Sequence, residues 1–416
     1  MRIFLPLSHP AIRRLWGGQL LSAIGDEMNS VAMVWLAAQV LGSAAGYLMA
    51  AHAACAVVSI FVLGGLVESR DSRRTLLAGD LVRAVAVAAI PIAAALGVRL
   101  TGFMVLAIGV LGAVDPLFDS VLRRCLPQLT PEPQLLGATN ALLATTTRLA
   151  RVCGPGLIAA AGALIPTVHL FTANAVSFVL SALAIAGVAA DRFDRPGAPP
   201  PANRAGLAET FRLIRAQPLV RHCILSGGIV FAAWSLVFPL GLGLLVHAQQ
   251  PDKVSALGAA IMAYGVGNIA ANLLLGSLTI APRRLLFAGR MVAGLGFILA
   301  ALAPREPLLL LGCALAASGG PATDLGFIGI LQGCYASRDF ARVYRMQLAV
   351  SFAVKLALFF VSPLLFRCCG ITPILAAAGA VMLLVSAAGY LRYGRNPPPP
   401  AAAPPSPPPP DAPAAC

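Results

Sequence analysis

The chain has 416 residues, of which 58% are apolar and only 11% charged. Length alone would suggest two or three soluble domains, but so low a charge content excludes that arrangement and reads as an all-α polytopic membrane protein. The net charge of +14 follows topology rather than nucleic-acid binding: 21 of the 30 Lys and Arg residues flank one set of alternating span ends, and only Arg99, Lys253, Arg305 and Arg367 flank the other.

A helix needs about 20 apolar residues to cross the hydrocarbon layer. Twelve stretches qualify, at 13–38, 46–68, 76–98, 102–127, 134–163, 166–190, 220–247, 255–280, 284–303, 306–333, 342–368 and 371–394. Because Lys and Arg stay cytoplasmic, both termini and the loops at 69–75, 123–133, 191–219 and 281–284 are expected on the cytoplasmic side of a cell (inner or plasma) membrane. The expected organisation is a six-helix bundle over 1–190, a cytoplasmic linker over 191–219, a second bundle over 220–395 and a disordered Pro/Ala-rich tail over 396–416. Nine cysteines lie scattered without metal or redox spacing, so no metal site is expected.

In chain order, the first span carries Gln19, Ser22, Asp26 and Asn29 at helical spacing, so the four polar groups share one face. Asp26 falls near mid-membrane, where a carboxylate costs roughly 2.5–3.5 kcal/mol and normally faces a bundle interior or a wet cavity. Glu27 points about 100° away, which favours Asp26 as the cavity acid; the alternative for either acid is a structural pairing with an arginine on a neighbouring helix. Asp80 and Arg83 stand three apart on the third span and can pair. On the fourth, Asp115, Asp119 and Arg123 recur every four residues, and Pro116 loosens the backbone beside Asp115. Arg148 and Arg151 follow on the fifth span, ahead of Gly154, Pro155 and Gly156, and pairing Arg148 with Asp115 would neutralise both. Asn174 and Ser177 on the sixth suit helix-helix hydrogen bonding. In the linker, Leu207 to Ala216 has helical spacing and can lie on an anionic membrane surface. Tyr264, Asn268 and Asn272 form one face of the eighth span, and Gln347, Ser351 and Lys355 one face of the eleventh. Asp324 takes the place of Asp115 in the second half and Lys355 nearly that of Arg148, so Arg148 and Lys355 are expected in buried charge pairs.

These correspondences belong to a long internal repeat. Arg73 to Val82 reads against Arg283 to Val292; Asp115, Phe118, Leu122 and Cys125 read against Asp324, Phe327, Leu331 and Cys334; Pro155 reads against Pro363. A period of about 210 residues far exceeds solenoid units and suits two six-helix pseudo-repeats. The stretch Gly64-Gly65-Leu66-Val67-Glu68-Ser69-Arg70-Asp71-Ser72-Arg73-Arg74 resembles the motif between the second and third helices of the major facilitator superfamily. The resemblance implies a cytoplasmic gate cluster of Gly65, Glu68, Asp71, Arg73, Arg74, Asp80 and Arg83. Ser69 stands where the family usually has Asp, which leaves the gate acid open between Glu68 and Asp71. The triplet Gly154-Pro155-Gly156 resembles the fifth-helix motif of the drug/proton antiporter branch, a helix bend used in alternating access. The run from Arg13 to Asp26, with Asn140-Ala-Leu-Leu, is similar to the bacterial efflux branch that includes the enterobactin exporter and macrolide efflux proteins.

What this resemblance implies is a secondary active transporter that exports a small amphipathic molecule, drug or siderophore-like, in exchange for protons. Asp26 and Asp115 are then the proton-coupling candidates. Gln19, Asn29, Trp234 and Asp324 are the substrate-cavity candidates, in a cavity lined by the first, fourth, seventh and tenth spans. The expected partners are a small-molecule substrate, protons and the lipid bilayer, with no nucleic acid and no cofactor, and the expected state is a monomer. A lysophospholipid or lipid translocator of the same fold and a non-transporting membrane scaffold are the alternatives. An enzyme is not expected: no nucleophile elbow, phosphate loop or His/Cys cluster occurs, and the five histidines are isolated.

Overall fold

The third span shows how this sequence folds. Asp71 starts it by accepting a hydrogen bond from the Arg74 amide at 3.0 Å, an N-cap. Along the helix, Leu76, Asp80, Arg83, Val87 and Ile90 recur at helical spacing and are 0–3% exposed, whereas Leu81, Val85 and Ile92 on the other face are 51–72% exposed. The charged side chains are buried with part of the apolar set, and the outer face is wholly apolar here, the reverse of a soluble helix. Such a surface is matched to hydrocarbon.

The computed structural model describes residues 2–62, 71–129, 133–189, 193, 207–275, 280–335 and 337–394, and every regular element among them is helical. The long helices are α1 (Pro10–Leu41), α2 (Ala45–Val62), α3 (Ser72–Ala95), α4 (Thr101–Leu129), α5 (Pro133–Ala161) and α6 (Val168–Ala186), then α7 (Pro218–Gln249), α8 (Val254–Leu275), α9 (Pro282–Leu302), α10 (Glu306–Cys334), α11 (Ser337–Cys369) and α12 (Ile371–Gly389). Proline stands in the first turn of α1, α7, α9 and α10, where its missing N–H has no partner to lose. Ten segments among the described residues are long and apolar enough to cross a membrane. One of them, Pro10–Ser59, contains both α1 and α2, and α5 is a further helix of 29 residues whose apolar run is interrupted by Arg148 and Arg151, so twelve helices result.

Within the first half α1 packs on α5 and α6, α3 on α4 and α6, and α2 on α4; within the second α9 packs on α10 and α12, α8 on α10, and α7 on α11. The halves meet through α5 with α8, α2 with α11, and α1 with the end of α7. Pro239 breaks α7: Phe238 before it leaves helical backbone, at φ −120° and ψ 123°, as proline demands of the residue it follows.

The linker contributes a short helix, Leu207–Ala216. It docks on the start of α11, where Arg342 meets Glu209 at 3.4 Å and Asp339 at 3.2 Å. Tyr335 also donates to the Leu213 carbonyl at 3.0 Å. Burial, with Cys334 and Asp339 nearby, pushes that phenol up to about 12, so it stays protonated and keeps donating.

Candidate functional site

Polar side chains that the sequence spreads over ten helices converge on one cavity of about 1410 Å³ between the halves. Single-ligand pockets run to about 1,000 Å³, so this space takes a drug-sized molecule together with water. The halves close against each other at one end. There, a Cβ on Gly258 of α8 would lie 2.8 Å from both the Pro155 carbonyl oxygen and the Ala159 nitrogen of α5. Trp35 of α1 meets His247 of α7 edge-on at 4.9 Å, and Tyr47 of α2 meets Phe360 of α11 at 5.9 Å. The walls continue toward the opposite end, to Arg123 and Leu126 in the last turns of α4, which runs to Leu129 through the expected 123–133 loop, and to Asn140 near the start of α5.

The first-half wall is charged and balanced. Arg83 pairs with Asp80 one turn earlier on α3 and reaches across to Asp115 on α4 at 3.1 Å. Its guanidinium is stacked between Phe118 at 4.1 Å and Phe178 at 4.4 Å, so two carboxylates and two ring faces hold one cation. Asp26 lies within electrostatic reach of this group and has no cation within 4 Å among the described residues. Glu27 lines the cavity beside it and pairs with Arg151 of α5 at 3.6 Å. That approach of α1 to α5 depends on Gly154, where a Cβ would lie 2.7 Å from Glu27 Cβ and 2.9 Å from the Ile24 carbonyl oxygen.

The second-half wall is aromatic, with few charges. Trp234 donates to the Tyr264 hydroxyl at 2.7 Å, and Phe238 stacks on Tyr264 at 4.0 Å. Its charged groups are Asp324, Arg290 and Lys355. Lys355 Nζ sits 5.4–5.8 Å from the rings of Phe231, Phe352 and Phe359.

Residues 15–249, more than half of the chain, match the profile of the Major Facilitator Superfamily. The chain belongs to the major facilitator superfamily. As a member, it is a multi-pass membrane transporter of small molecules. It is 25% identical over 315 residues to the multidrug efflux pump Tap of Mycolicibacterium fortuitum, a match covering 71% of this chain and 74% of that protein. To the multidrug efflux pump Tap of Mycobacterium tuberculosis (strain ATCC 25618 / H37Rv) it is 27% identical over 318 residues, covering 71% and 73%. Two solved structures share the fold. One is a bacterial homologue of the human lysosomal transporter Spinster, inward-facing and unoccupied, at a TM-score of 0.67 and 13% identity over 92% of this chain and 96% of that one. The other is the peptide transporter POT in complex with sulfate, at 0.66 and 14% over 92% and 94%.

On this major facilitator fold, Gln19, Asp26, Asn29, Asp115, Trp234 and Asp324 all reach the cavity wall, as do Arg148 and Lys355. The expected charge pairs do not form. Asp115 pairs with Arg83 rather than Arg148, because α4 lies against α2 and α3 and barely touches α5. Arg148 is exposed to the cavity and has no carboxylate within 4 Å among the described residues. Lys355 likewise lacks an acid, because α10, which carries Asp324, hardly contacts α11. Glu27, set aside on helical phase, shares the cavity with Asp26 because α1 is bordered by the cavity on more than one face.

The gate cluster divides into two layers. Gly65 and Glu68 lie outside the described residues. Asp71 caps α3 and Arg74 supplies the capped amide. Arg73 donates to the Ala186 carbonyl at 2.7 Å, beside Arg14 on the Gly187 carbonyl at 2.5 Å, so two cations complete the C-terminal end of α6. Asp80 and Arg83 form the deeper layer. At the sealed end, Pro155 and Gly156 form the α5 side of the seam, with a Gly156 Cβ position 3.1 Å from Met262 Sδ of α8, whereas Gly154 faces α1 of its own half. The seam predicts that Gly258→Val forces this end apart, since both atoms it would strike are backbone. With Val254→Cys as reporter, 4% exposed in the sealed state, a water-soluble maleimide should label the variant several-fold faster than its parent in a background without other cysteines. Equal rates would mean that the seam does not hold this end shut.

Sequence reasoning gave no role to Arg290 or His52. Arg290 carried a signal: it occupies the repeat position of Asp80, with the charge reversed.

Proposed function

We propose that this transporter exports small amphipathic molecules, drug or siderophore-like, in exchange for protons, by alternating access. The observation that carries the exchange is Asp26: a carboxylate on the cavity wall with no cation within 4 Å among the described residues, beside the Arg83–Asp115 pair. A carboxylate so placed can accept a proton from one side and release it when the wall opposite changes. Asp115, already held by Arg83, is the second proton-coupling candidate. Gln19, Asn29, Trp234 and Asp324 are the proposed substrate contacts.

The efflux direction draws support from the resemblance to the Tap proteins, named as multidrug efflux pumps. We place both termini and the basic loops on the cytoplasmic side of the inner or plasma membrane, with the cavity opening inward. Bundles over 1–190 and 220–395 would then rock about the sealed end, joined by the linker at 191–219, with the tail at 396–416 outside the bundles and the monomer as the working unit. Purified protein in proteoliposomes containing a pH-sensitive dye tests the reading. Adding an amphipathic substrate should produce a proton flux that depends on both protein and substrate. Substrate movement with no accompanying proton flux would overturn the exchange.

A further inference from the structure

The two walls of the cavity differ in their charge balance. On the first-half wall, Asp26, Glu27, Asp115 and Asp119 face Arg83, Arg123, Arg148 and Arg151, whereas the second-half wall sets Asp324 alone against Arg290 and Lys355. Neither of these two cations has a carboxylate within 4 Å among the described residues.

Arg290 is 3% exposed; its Nη1 donates to the Ser226 hydroxyl at 3.0 Å, and its Nε has no acceptor among the described residues. Asp324 acts on it only from beyond ion-pair distance. Gln347 converges on the same place: a Cβ on Gly227 would lie 2.7 Å from Gln347 Nε2 and 3.0 Å from Arg290 Nη2. The missing side chain at Gly227 therefore lets the guanidinium and the amide close in together on this turn of α7, where all three line the cavity. Gln347 donates to Ser351 at 2.9 Å, and Lys355 follows one turn further along the same face of α11. From Gln347 to Lys355 is about 12 Å at 1.5 Å per residue, and Phe231 and Phe359 flank the deeper end. The repeat sharpens the point. At the matching position of the first half, Asp80 is neutralised by Arg83; in the second half the acid has become Arg290, and the matching partner position holds Ala293. A buried cation without a fixed counter-charge is costly in a membrane and marks a ligand path.

We propose that Arg290, Gln347, Ser351 and Lys355 form an anion-binding subsite, and that the transported molecules include amphiphiles with a carboxylate or phosphate head and an aromatic or aliphatic body. The head replaces the missing counter-charge through charge-assisted hydrogen bonds, and the body lies against Phe231, Trp234 and Phe238. The inference rests on the transporter reading, of which it specifies the substrate class.

The test is equilibrium binding to full-length protein in nanodiscs, with three probes that share a naphthalene body: 2-naphthoate, 2-naphthyl phosphate and 2-naphthylmethylammonium. The two anions should bind tighter than the ammonium. Arg290→Gln and Lys355→Gln should each weaken anion binding by about tenfold or more, the loss of one charge-assisted contact, while the ammonium's affinity stays put. Arg290→Lys should restore part of the loss. If Arg290→Gln fails to fold, Lys355→Gln at the half-buried site carries the test alone. Equal affinity for the three probes, or anion binding indifferent to Lys355→Gln, overturns the proposal. Oleoyl-lysophosphatidate distinguishes the sources of the head group: competition with naphthyl phosphate identifies lipid-derived anions, and absence of competition identifies soluble organic acids. Binding is read without transport, so a chain that binds these anions but moves no substrate would sink the carrier reading alone. A chain that moves protons and substrate but ignores the anions would sink only this subsite.

Discussion

Asp26→Asn is expected to abolish uphill transport while leaving exchange intact. One pH unit is worth about 1.4 kcal/mol, so such a gradient can sustain up to about a tenfold substrate ratio per proton exchanged. In proteoliposomes the substitution should collapse that ratio to about one, with no gradient-driven accumulation left. Counterflow, in which labelled substrate swaps for unlabelled substrate with no net proton movement, should continue. The variant should also fold, since Asp26 has no cation within 4 Å among the described residues whose partner would be stranded. Neutralising a mid-membrane carboxylate removes a penalty of roughly 2.5–3.5 kcal/mol rather than adding one. Unchanged accumulation in the variant would remove Asp26 from the coupling. Loss of both accumulation and counterflow would assign it to substrate binding instead.

Arg83→Met carries the largest expected effect on stability. The guanidinium is all but enclosed, with a side-chain exposure of 4%, and Asp80 is wholly so at 0%. Methionine fills comparable volume between Phe118 and Phe178 but leaves the Asp80 carboxylate without its cation. Stranding one member of a buried pair typically costs about 3–5 kcal/mol, a large part of the total for an ordinary fold. Thermal unfolding of the detergent-solubilised protein should show it. Adding Asp80→Asn and Asp115→Asn to Arg83→Met should regain much of the loss, because a neutral cluster of similar shape strands no charge. A single variant within about 1 kcal/mol of the parent would show that water or cavity relaxation already compensates Asp80.

Helix positions and cavity faces were legible in the sequence, and side-chain partnerships were not. Polar residues at helical spacing identified Gln19, Asp26 and Asn29 on one face of α1, and all three line the cavity. The fourth-residue rhythm of Asp115, Asp119 and Arg123 likewise placed all three on its wall. Periodicity reports which way a side chain points but not which helix stands opposite. The pairing of Asp115 with Arg148 failed because α4 rests on α3, whose Arg83 reaches the acid first. Lys355 misled for the same reason, its helix facing α7 and α2 rather than α10. Arg290 was readable only by comparing the two halves, where the sign of a charge changes at one repeat position.

Helix α1 is pinned to its own half: Gly18 seats against Ser181, Gly25 against Asn174 and Ser177, and Gly154 of α5 against the turn holding Glu27. Backbone contacts this tight do not slide, so Asp26, Arg83 and Asp115 travel as one casting whichever way the carrier is turned. The charges that act on Asp26, namely Asp115, Arg83 and Glu27, then keep their distances from it as the carrier turns. What alternates at the acid is therefore water, admitted or expelled as the gap opens and closes, rather than the arrangement of its charged neighbours.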